Sequence, residues 1–268
     1  MNARDFAAQL RARERAVGYW CALDAPPATE RVARLGYDYV VLDMQHGLMG
    51  YSGMLAGLTA IDAAGGVGLV RVEANDLTPI GRALDAGAAG VIVPLVDTAE
   101  QAEAAVAACR YPPHGRRSFG PMRSGLRIGP HPADADASIV VIVMIETAEG
   151  LANVEAICAT PGLDGVYVGP SDLTLAVGGA FPGDPAVAPE FESAEVRVRE
   201  SAAAAGKAAG FHVRDGATAA KRLAEGYTFA TVSSDIIHIE QVAAAHLAAS
   251  RPPEGSARLE GPTLRARP

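Results

Sequence analysis

The sequence IVVIVMIE, residues 139–146, consists of seven apolar residues followed by a glutamate. Strands of a parallel sheet read as unbroken Val/Ile/Leu runs because helices cover both of their faces. This stretch therefore predicts a buried parallel strand with Glu146 at its carboxyl end. Other apolar runs end in the same way: residues 39–42 precede Asp43, 67–70 precede Arg71, and 165–168 come shortly before Asp172.

Strand-like and helix-like segments alternate along the chain, which predicts βαβ units and a parallel sheet. A (β/α)8 barrel gathers the carboxyl ends of all its strands at one mouth, whereas an open doubly wound sheet binds ligands only near its switch point. Polar strand ends spread over the whole chain therefore favour the barrel. The predicted strands are residues 17–23, 39–42, 67–70, 90–94, 139–145, 165–168, 209–213 and 228–232.

Two segments depart from this alternation. Residues 111–136 are rich in Pro, Gly and Arg and follow a predicted helix over 98–110 that has Thr98 as its N-cap. A loop of that length in a compact domain is usually functional or mobile. Residues 251–268 hold four prolines and show almost no apolar periodicity, so we expect a disordered tail after a single barrel domain over residues 1–250.

The composition narrows the classes of function. A net charge of −8 disfavours nucleic acid and anionic membranes as partners. No apolar run approaches the ~20 residues that span a bilayer, and the N-terminus lacks a secretory signal pattern. The three cysteines are widely spaced and support neither a disulfide framework nor a cysteine metal site. These features predict a cytoplasmic protein.

Two of the strand-end carboxylates, Glu146 and Asp172, are candidate metal ligands. Mg²⁺ and Mn²⁺ prefer oxygen donors, and Mg²⁺ often takes only one or two carboxylates together with substrate and water. The alternative is that each is an ordinary acid in a salt bridge at the barrel rim.

Between the strand and Asp172, the sequence Gly169-Pro170-Ser171 reads as a turn entering a helix, whose free backbone N–H groups could hold a substrate carboxylate.

A histidine and an arginine complete the candidate site. His46 follows Asp43 in a predicted loop, where its imidazole can transfer protons near neutral pH. Asp85 is a candidate to orient His46 through a carboxylate–imidazole hydrogen bond, although an ordinary acid at a helix end explains it equally well. Arg71 ends an apolar strand, so it needs an acidic partner or an anionic substrate, and near a ketone it would stabilise a developing oxyanion.

Lysine is nearly absent from the chain. Lys207 directly precedes a predicted strand at the opposite end of the barrel, and Lys221 lies in a helical stretch. An aldolase that works through a Schiff base needs a lysine inside the barrel mouth. Carbanion chemistry in this protein would therefore depend on a metal ion.

Taken together, these motifs resemble the HpcH/HpaI family of metal-dependent pyruvate aldolases. The similarity runs from about residue 17 to residue 242. It implies a (β/α)8 barrel whose C-terminal helix is exchanged between subunits, in a homo-oligomer that is a trimer or a hexamer built from dimers. The motifs that carry it are residues 18–20, 43–46, 70–72, 89–94, 110–113, 145–146 and 165–172.

The resemblance also implies roles for individual residues. Glu146 and Asp172 would hold Mg²⁺, Mn²⁺ or Co²⁺, Arg71 would contact the pyruvyl oxygen, and His46 with Asp85 would manage protons. The residues implied in substrate binding are Trp20, Gln45, Arg71, Gly169, Ser171, Asp172 and His212.

The chain departs from the family pattern at four positions. Met144 replaces a glutamine beside the metal, and Gln45 replaces an acidic residue before the histidine. Ser233 stands where the family has a glycine near the last strand, and His212 stands where it has an apolar residue. These changes leave the metal ligands and the base in place and bear on the substrate.

The leading hypothesis is reversible cleavage of a 4-hydroxy-2-oxo acid to pyruvate and an aldehyde. Related enolate chemistry, such as oxaloacetate decarboxylation or carbon–carbon bond formation in specialised metabolism, is the alternative. A lyase acting on coenzyme A thioesters fits the motifs less well. From a different class of function, a non-catalytic barrel subunit is the least favoured because all the metal, base and arginine positions are retained.

Overall fold

A computed structural model describes residues 1–251, and its eight parallel strands form a closed barrel in sequence order. The predicted (β/α)8 fold is confirmed, and the strand bounds agree with prediction to within two residues. The strands are β1 (Ala16–Cys21), β2 (Tyr39–Asp43), β3 (Gly68–Arg71), β4 (Gly90–Val93), β5 (Val140–Ile145), β6 (Gly165–Val168), β7 (Ala208–Val213) and β8 (Phe229–Ser234).

Helices follow the strands around the outside of the barrel and one helix precedes them. Thr98 is the N-cap of α5, as predicted, and its hydroxyl accepts a hydrogen bond from the Gln101 N–H at 3.3 Å. The helices are α1 (Ala3–Arg11), α2 (Pro26–Ala33), α3 (Tyr51–Ala63), α4 (Leu77–Asp85), α5 (Ala99–Cys109), α6 (Ser124–Arg127), α7 (Pro132–Ser138), α8 (Ala148–Ala152), α9 (Val154–Cys158), α10 (Pro170–Ala176), α11 (Ala188–Ala204), α12 (Gly216–Ala224) and α13 (Asp235–Ser250), with a 3₁₀ turn at Pro185–Val187.

The barrel interior is filled with apolar side chains from alternate strand positions, because successive residues of a strand point to opposite faces. The residues of this interior cluster include Val41, Leu69 and Ile142. Helix α1 closes the amino-terminal end of the barrel by burying Phe6 and Leu10 completely against it. The opposite end, where the strands finish, is left open for polar groups.

The segment over residues 111–136 is not a single loop. It contains the short helix α6 and most of α7, and the Pro132 ring at the start of α7 fits a first helical turn, where no N–H is needed. Among residues 1–251, no helix is both long and apolar enough to cross a membrane. Except for Arg251, the tail predicted over residues 251–268 lies outside the described residues.

Candidate active site

Three charged side chains lie at the inward positions directly above the apolar interior. Strand β2 points Tyr39 and Val41 inward, and Asp43 is the next residue on that face. Every second residue of a strand points to the same face. Arg71 is therefore the next inward residue after Leu69 on β3, and Glu146 is the next inward residue after Met144, directly after the end of β5. All three are buried, with 2%, 8% and 3% of their surface exposed for Asp43, Arg71 and Glu146. Strand alternation therefore directs these charges into the mouth of the barrel.

Asp43 and Arg71 form a fork-shaped ion pair. They are register partners on neighbouring strands, and Arg71 donates from Nε to Asp43 Oδ1 at 2.9 Å and from Nη2 to Oδ2 at 2.5 Å. The Trp20 indole N–H also donates to Asp43 Oδ2 at 3.1 Å, and the Arg71 guanidinium lies 4.9 Å from the centre of the Trp20 ring. Burial opposes ionisation, but the hydrogen bonds and charge of Arg71 hold the pKa of Asp43 below its ordinary value.

The loop after β2 is also organised by Asp43. Its Oδ1 accepts hydrogen bonds from the backbone N–H groups of Gln45 at 3.0 Å and His46 at 3.1 Å. The His46 side chain is exposed and lines the cavity at the barrel mouth. Gln45 is not part of the cavity lining, and its side-chain Oε1 is buried without a hydrogen-bond partner.

Glu146 is held by a hydrogen bond to one carboxylate oxygen, and its other oxygen lies beside Gly169, which lines the cavity. Its Oε1 accepts a hydrogen bond at 2.8 Å from the N–H of Leu95, a residue held at a left-handed φ of 54°. A Cβ atom on Gly169 would lie 2.4 Å from the second oxygen, Oε2, so the absence of a side chain there makes room for the carboxylate. Burial, assisted by the negative charge of Asp172, raises the pKa of Glu146 to about 6 against the opposing Leu95 hydrogen bond.

The pair Glu146 and Asp172 suits a hard divalent cation. Asp172 lies in the first turn of α10 and is exposed at the mouth, near enough for its charge to act on Glu146. Within residues 1–251 no cluster of three or more His, Cys, Asp or Glu side chains could enclose a metal by itself. Two carboxylates with open positions match the preference of Mg²⁺ for a few protein oxygens completed by water and substrate.

His46, Arg71 and Asp172 line a cavity of about 190 Å³, whereas Asp43 and Glu146 are not part of its lining. It includes every residue predicted to bind substrate except Gln45. It also includes Met144, predicted beside the metal, Pro170, predicted in the turn before Asp172, and Tyr167, which the sequence analysis did not single out. The inward strand positions could have revealed Tyr167, because it continues the interior-facing alternation of β6. The lining residues are Trp20, His46, Arg71, Met144, Tyr167, Gly169, Pro170, Ser171, Asp172 and His212.

His212 brings a second imidazole to this cavity from β7. Its ring packs edge-on against Trp20 with the centroids 5.3 Å apart. Burial, and next the positive charge of Arg71, lower the pKa of His212 to about 4. At neutral pH this side chain is therefore an uncharged group that can donate one hydrogen bond and accept another.

Asp85 lies away from His46 within the chain. It ends α4, and because a helix after a barrel strand runs back antiparallel to that strand, its carboxyl end lies at the closed end of the barrel. There Asp85 Oδ1 accepts a hydrogen bond from Arg117 Nη2 at 2.7 Å. The predicted Asp85–His46 hydrogen bond does not form within one chain.

Comparison with known proteins points to one group of enzymes. The sequence profile described as HpcH/HpaI aldolase/citrate lyase matches residues 16–241. A hydroxypyruvate/pyruvate aldolase from Rhizorhabdus wittichii is 41% identical over 237 residues, covering 88% of this chain and 94% of the relative. A 5-keto-4-deoxy-D-glucarate aldolase from Klebsiella pneumoniae is 39% identical over 234 residues, covering 86% of this chain and 90% of the relative.

A solved structure agrees with the sequence comparisons. The crystal structure of an HpcH/HpaI aldolase/citrate lyase family protein from Burkholderia cenocepacia J2315 superposes with a TM-score of 0.85 at 32% identity. The match covers 93% of this chain and 100% of the Burkholderia chain. The fold is therefore shared across the full length of that protein.

Proposed function

The chain belongs to the HpcH/HpaI aldolase/citrate lyase family, as its motifs predict, and we propose that it reversibly cleaves a 4-hydroxy-2-oxo acid to pyruvate and an aldehyde. The observation that carries the proposal is that His46, Arg71 and Asp172 line one cavity and that Glu146 lies against Gly169 of the same lining. Enzymes of this family are in general dependent on a divalent metal. We place the reaction in the cytoplasm, in keeping with the composition of the chain.

Glu146 and Asp172 would hold the metal, which when bound acts as a Lewis acid towards the 2-oxo acid. The carboxylates of this pair are otherwise poorly compensated, since the charge of Asp172 disfavours ionisation of the buried Glu146. A bound cation would remove that penalty. We propose Mg²⁺, Mn²⁺ or Co²⁺ as the ion.

His46 acts as the general base in this scheme. Its imidazole takes the proton of the C4 hydroxyl, the C3–C4 bond breaks, and the C4 oxygen becomes the carbonyl of the aldehyde. The electron pair of the broken bond moves to the C2 oxygen, and a proton then added at C3 completes the methyl group of pyruvate. The exposed position of His46 on the cavity wall supports access to the substrate hydroxyl.

Arg71 stabilises the charge that develops on the C2 oxygen. Arg71 lines the cavity, and its Nε and Nη2 donate to Asp43. Asp43 thus sets the plane of the guanidinium, which is the kind of preorganised donor that favours a developing oxyanion.

The test is exchange of the methyl protons of pyruvate for deuterium, followed by NMR. Wild-type protein with Mg²⁺, Mn²⁺ or Co²⁺ should catalyse exchange, and chelator-treated protein should not. Glu146→Gln and Asp172→Asn should lose exchange, while the control Glu149→Gln, an exposed carboxylate of α8, should retain it. Exchange that survives rigorous metal removal, or a covalent adduct trapped by borohydride with pyruvate, would contradict the proposal.

The same preparations separate the neighbouring reactions. His46→Ala should lower the rate of aldol cleavage by about 10²–10⁴ while metal binding persists. A protein that releases carbon dioxide from oxaloacetate but cleaves no 4-hydroxy-2-oxo acid would be a decarboxylase. A barrel that neither exchanges pyruvate protons nor cleaves any of these acids would be a non-catalytic subunit.

A further inference from the structure

The turn between β4 and α5 reaches Glu146 through a strained backbone. Leu95 in this turn has a left-handed φ of 54° and donates its N–H to Glu146 Oε1 at 2.8 Å. The left-handed region is unfavourable for residues with a bulky side chain. The Leu95 side chain is 52% exposed, so its own packing contributes little to holding this conformation. Backbone strain of this kind persists only where the surrounding structure over-determines it.

Asp97 ties the same turn to the chain that follows β5. Its side-chain Oδ1 accepts a hydrogen bond from the hydroxyl of Thr147, the residue directly after Glu146. Its carbonyl accepts one from Asn153 Nδ2 at 2.8 Å, and its N–H donates to Gln101 Oε1 at 2.6 Å. The side chain, the carbonyl and the N–H of Asp97 are thus all engaged, and together they restrain the backbone of the turn.

The turn after β4 also packs closely against the start of α8. A Cβ atom on Gly150, in the first turn of α8, would lie 2.8 Å from the carbonyl oxygen of Val96 and 3.4 Å from Asp97 Oδ1. The Gly150 N–H donates to Thr147 Oγ1 at 2.9 Å, so Thr147 is the N-cap of α8 as well as the partner of Asp97. The two segments therefore form one hydrogen-bonded unit.

We propose that Asp97 is a positioning residue for Glu146 and acts through the backbone of Leu95. The inference rests on the proposed function, in which Glu146 holds a divalent metal. Asp97 is not part of the lining of the cavity, so its effect passes through these contacts. Without them the Leu95 backbone relaxes towards an unstrained conformation, its N–H leaves Oε1, and the Glu146 carboxylate loses its orientation.

The first measurement is hydrogen exchange of the Leu95 amide in metal-free protein, followed by NMR. Asp97→Ala should speed this exchange by roughly tenfold or more, because the N–H loses its bond to Glu146 Oε1. The amide of Ile142, within β5, should keep its wild-type rate, which shows that the barrel remains folded. A wild-type rate for Leu95 in Asp97→Ala would overturn the inference.

Calorimetric titration with Mn²⁺ measures the consequence for the site. Asp97→Ala should weaken Mn²⁺ binding by about tenfold, as is usual when a group that orients a metal ligand is removed. Asp97→Asn should bind nearly as well as wild type, because its amide oxygen can still accept the Thr147 hydroxyl. The comparison is needed since the charge of Asp97 also acts on Glu146. Equal loss in both variants would assign the effect to that charge and overturn the positioning role.

Thr147 provides an independent check. Thr147→Val removes the hydroxyl and should weaken Mn²⁺ binding about as much as Asp97→Ala, whereas Thr147→Ser keeps the hydroxyl and should restore it. Because Thr147 also caps a helix, Asp76→Ala is the control for loss of a cap. Asp76 caps α4 by accepting a hydrogen bond from Thr78 N at 2.9 Å, and its removal should change neither Mn²⁺ affinity nor Leu95 exchange.

The titration also separates the two levels of failure. Wild-type protein that binds Mn²⁺, with Asp97→Ala binding it equally well, retains the proposed function and loses this inference. Wild-type protein that binds no Mn²⁺ loses both.

Discussion

Asp43 and Arg71 form a buried ion pair whose geometry depends on the shape of the guanidinium. Two hydrogen bonds of 2.9 and 2.5 Å join them, and the Trp20 ring covers the guanidinium at 4.9 Å. Removing one partner of a buried pair commonly costs about 3–5 kcal/mol because a charge is left uncompensated. A lysine keeps the charge but presents a single point, so it cannot reproduce the fork or the stacking.

We expect Arg71→Lys to fold and bind metal but to lose about 10² in kcat for aldol cleavage, as expected for loss of a preorganised donor to an oxyanion. Steady-state kinetics and a thermal melt measure the two effects. Arg110→Lys is a matched control, since Arg110 is equally buried and pairs with Asp164 at 3.4 Å outside the mouth. If Arg71→Lys loses only stability, as the control should, Arg71 is a structural residue.

Gly169 is required for the position of Glu146. Its φ of −89° suits any residue, so a substitution there acts through contact alone. We expect Gly169→Ala to push its Cβ against Glu146 Oε2 and Met144 Cε, and to weaken metal binding at least tenfold while the barrel stays folded. Calorimetric titration with Mn²⁺ measures the affinity. Gly81→Ala, where a Cβ meets no atom within 4 Å, is the control, and equal affinity in both variants would contradict the expectation.

His212 should make stability depend on pH in acid. Its pKa is about 4 in the folded protein and near the ordinary value of 6.5 when unfolded, so the unfolded chain binds the proton first. Its contribution is therefore complete above pH 6.5 and is lost as the pH falls to 4, by at most about 3 kcal/mol. As the pH falls between these values, the unfolding free energy of the His212→Gln variant should decrease less than that of wild type. Urea unfolding at each pH measures this difference. His131→Gln, an exposed histidine, should behave as wild type.

The end of β8 has an irregular register with β1 and is followed by a residue, Asp235, that hydrogen-bonds to the chain after β1. The register between β1 and β8 shifts after Tyr19, so that Trp20 pairs with Ser234 and Ser233 is the additional residue. Ser233 has a left-handed φ of 54°, and its buried hydroxyl has no hydrogen-bond partner. Asp235 then fastens this end to β1 by accepting hydrogen bonds from Ala22 N at 2.9 Å and Leu23 N at 3.1 Å.

Ser233→Gly should stabilise the protein. Glycine adopts the left-handed region without the ~1–2 kcal/mol that an L-residue commonly incurs there, and the substitution also removes a buried hydroxyl without a partner. The greater freedom of glycine in the unfolded chain offsets part of the gain. We expect the melting temperature to rise by a few degrees. A lower melting temperature would mean that the Ser233 hydroxyl has a partner that outweighs the backbone strain.

The elements show which parts of the structure the sequence could predict. Unbroken apolar runs such as 39–42 and 139–145 predicted buried strands because helices cover both faces, and the polar residues after such runs included Arg71 and Glu146. Contacts between residues far apart in the chain were harder to predict. The sequence showed Asp43 as a polar residue at a strand end, but its ion pair with Arg71 depends on the register of β2 against β3. For Asp85 the sequence held more information than the prediction used. Its place at the end of a helix already indicates the closed end of the barrel.

At the level of the whole molecule, the two ends of the barrel have different tasks. Helix α1 seals the amino-terminal end with apolar side chains, and the carboxyl-terminal end carries the buried charges. Charges are costly inside a barrel unless they are paired or bind a ligand. In this barrel the buried charges are grouped in a single layer above the packed interior, so the free-energy cost of burying them is confined to that layer. The apolar interior and the surrounding helices provide the stability that offsets this cost.

Helix α13 contacts β1 and β8 near its start, where His238 hydrogen-bonds with Tyr19 at 2.9 Å, but most of its length is exposed. Of its sixteen residues only Asp235 is buried, and Ile239, Val242 and Leu247 are 57%, 56% and 53% exposed. Several large apolar side chains exposed along one helix are characteristic of an interaction surface. The helix exchange implied by the resemblance would cover them with a second copy of the chain, and this assembly stays a prediction.

We expect the double substitution Ile239→Glu and Val242→Glu to reduce the oligomer to smaller species, because two charges would have to be buried without partners in the interface. Light scattering after size-exclusion chromatography measures the mass, and Gln241→Glu adds a charge on the same helix as a control. The barrel should persist in the variant by circular dichroism, since within the chain α13 contributes only Asp235 to the buried residues. An unchanged mass would place the subunit interface elsewhere and leave α13 without a role in assembly.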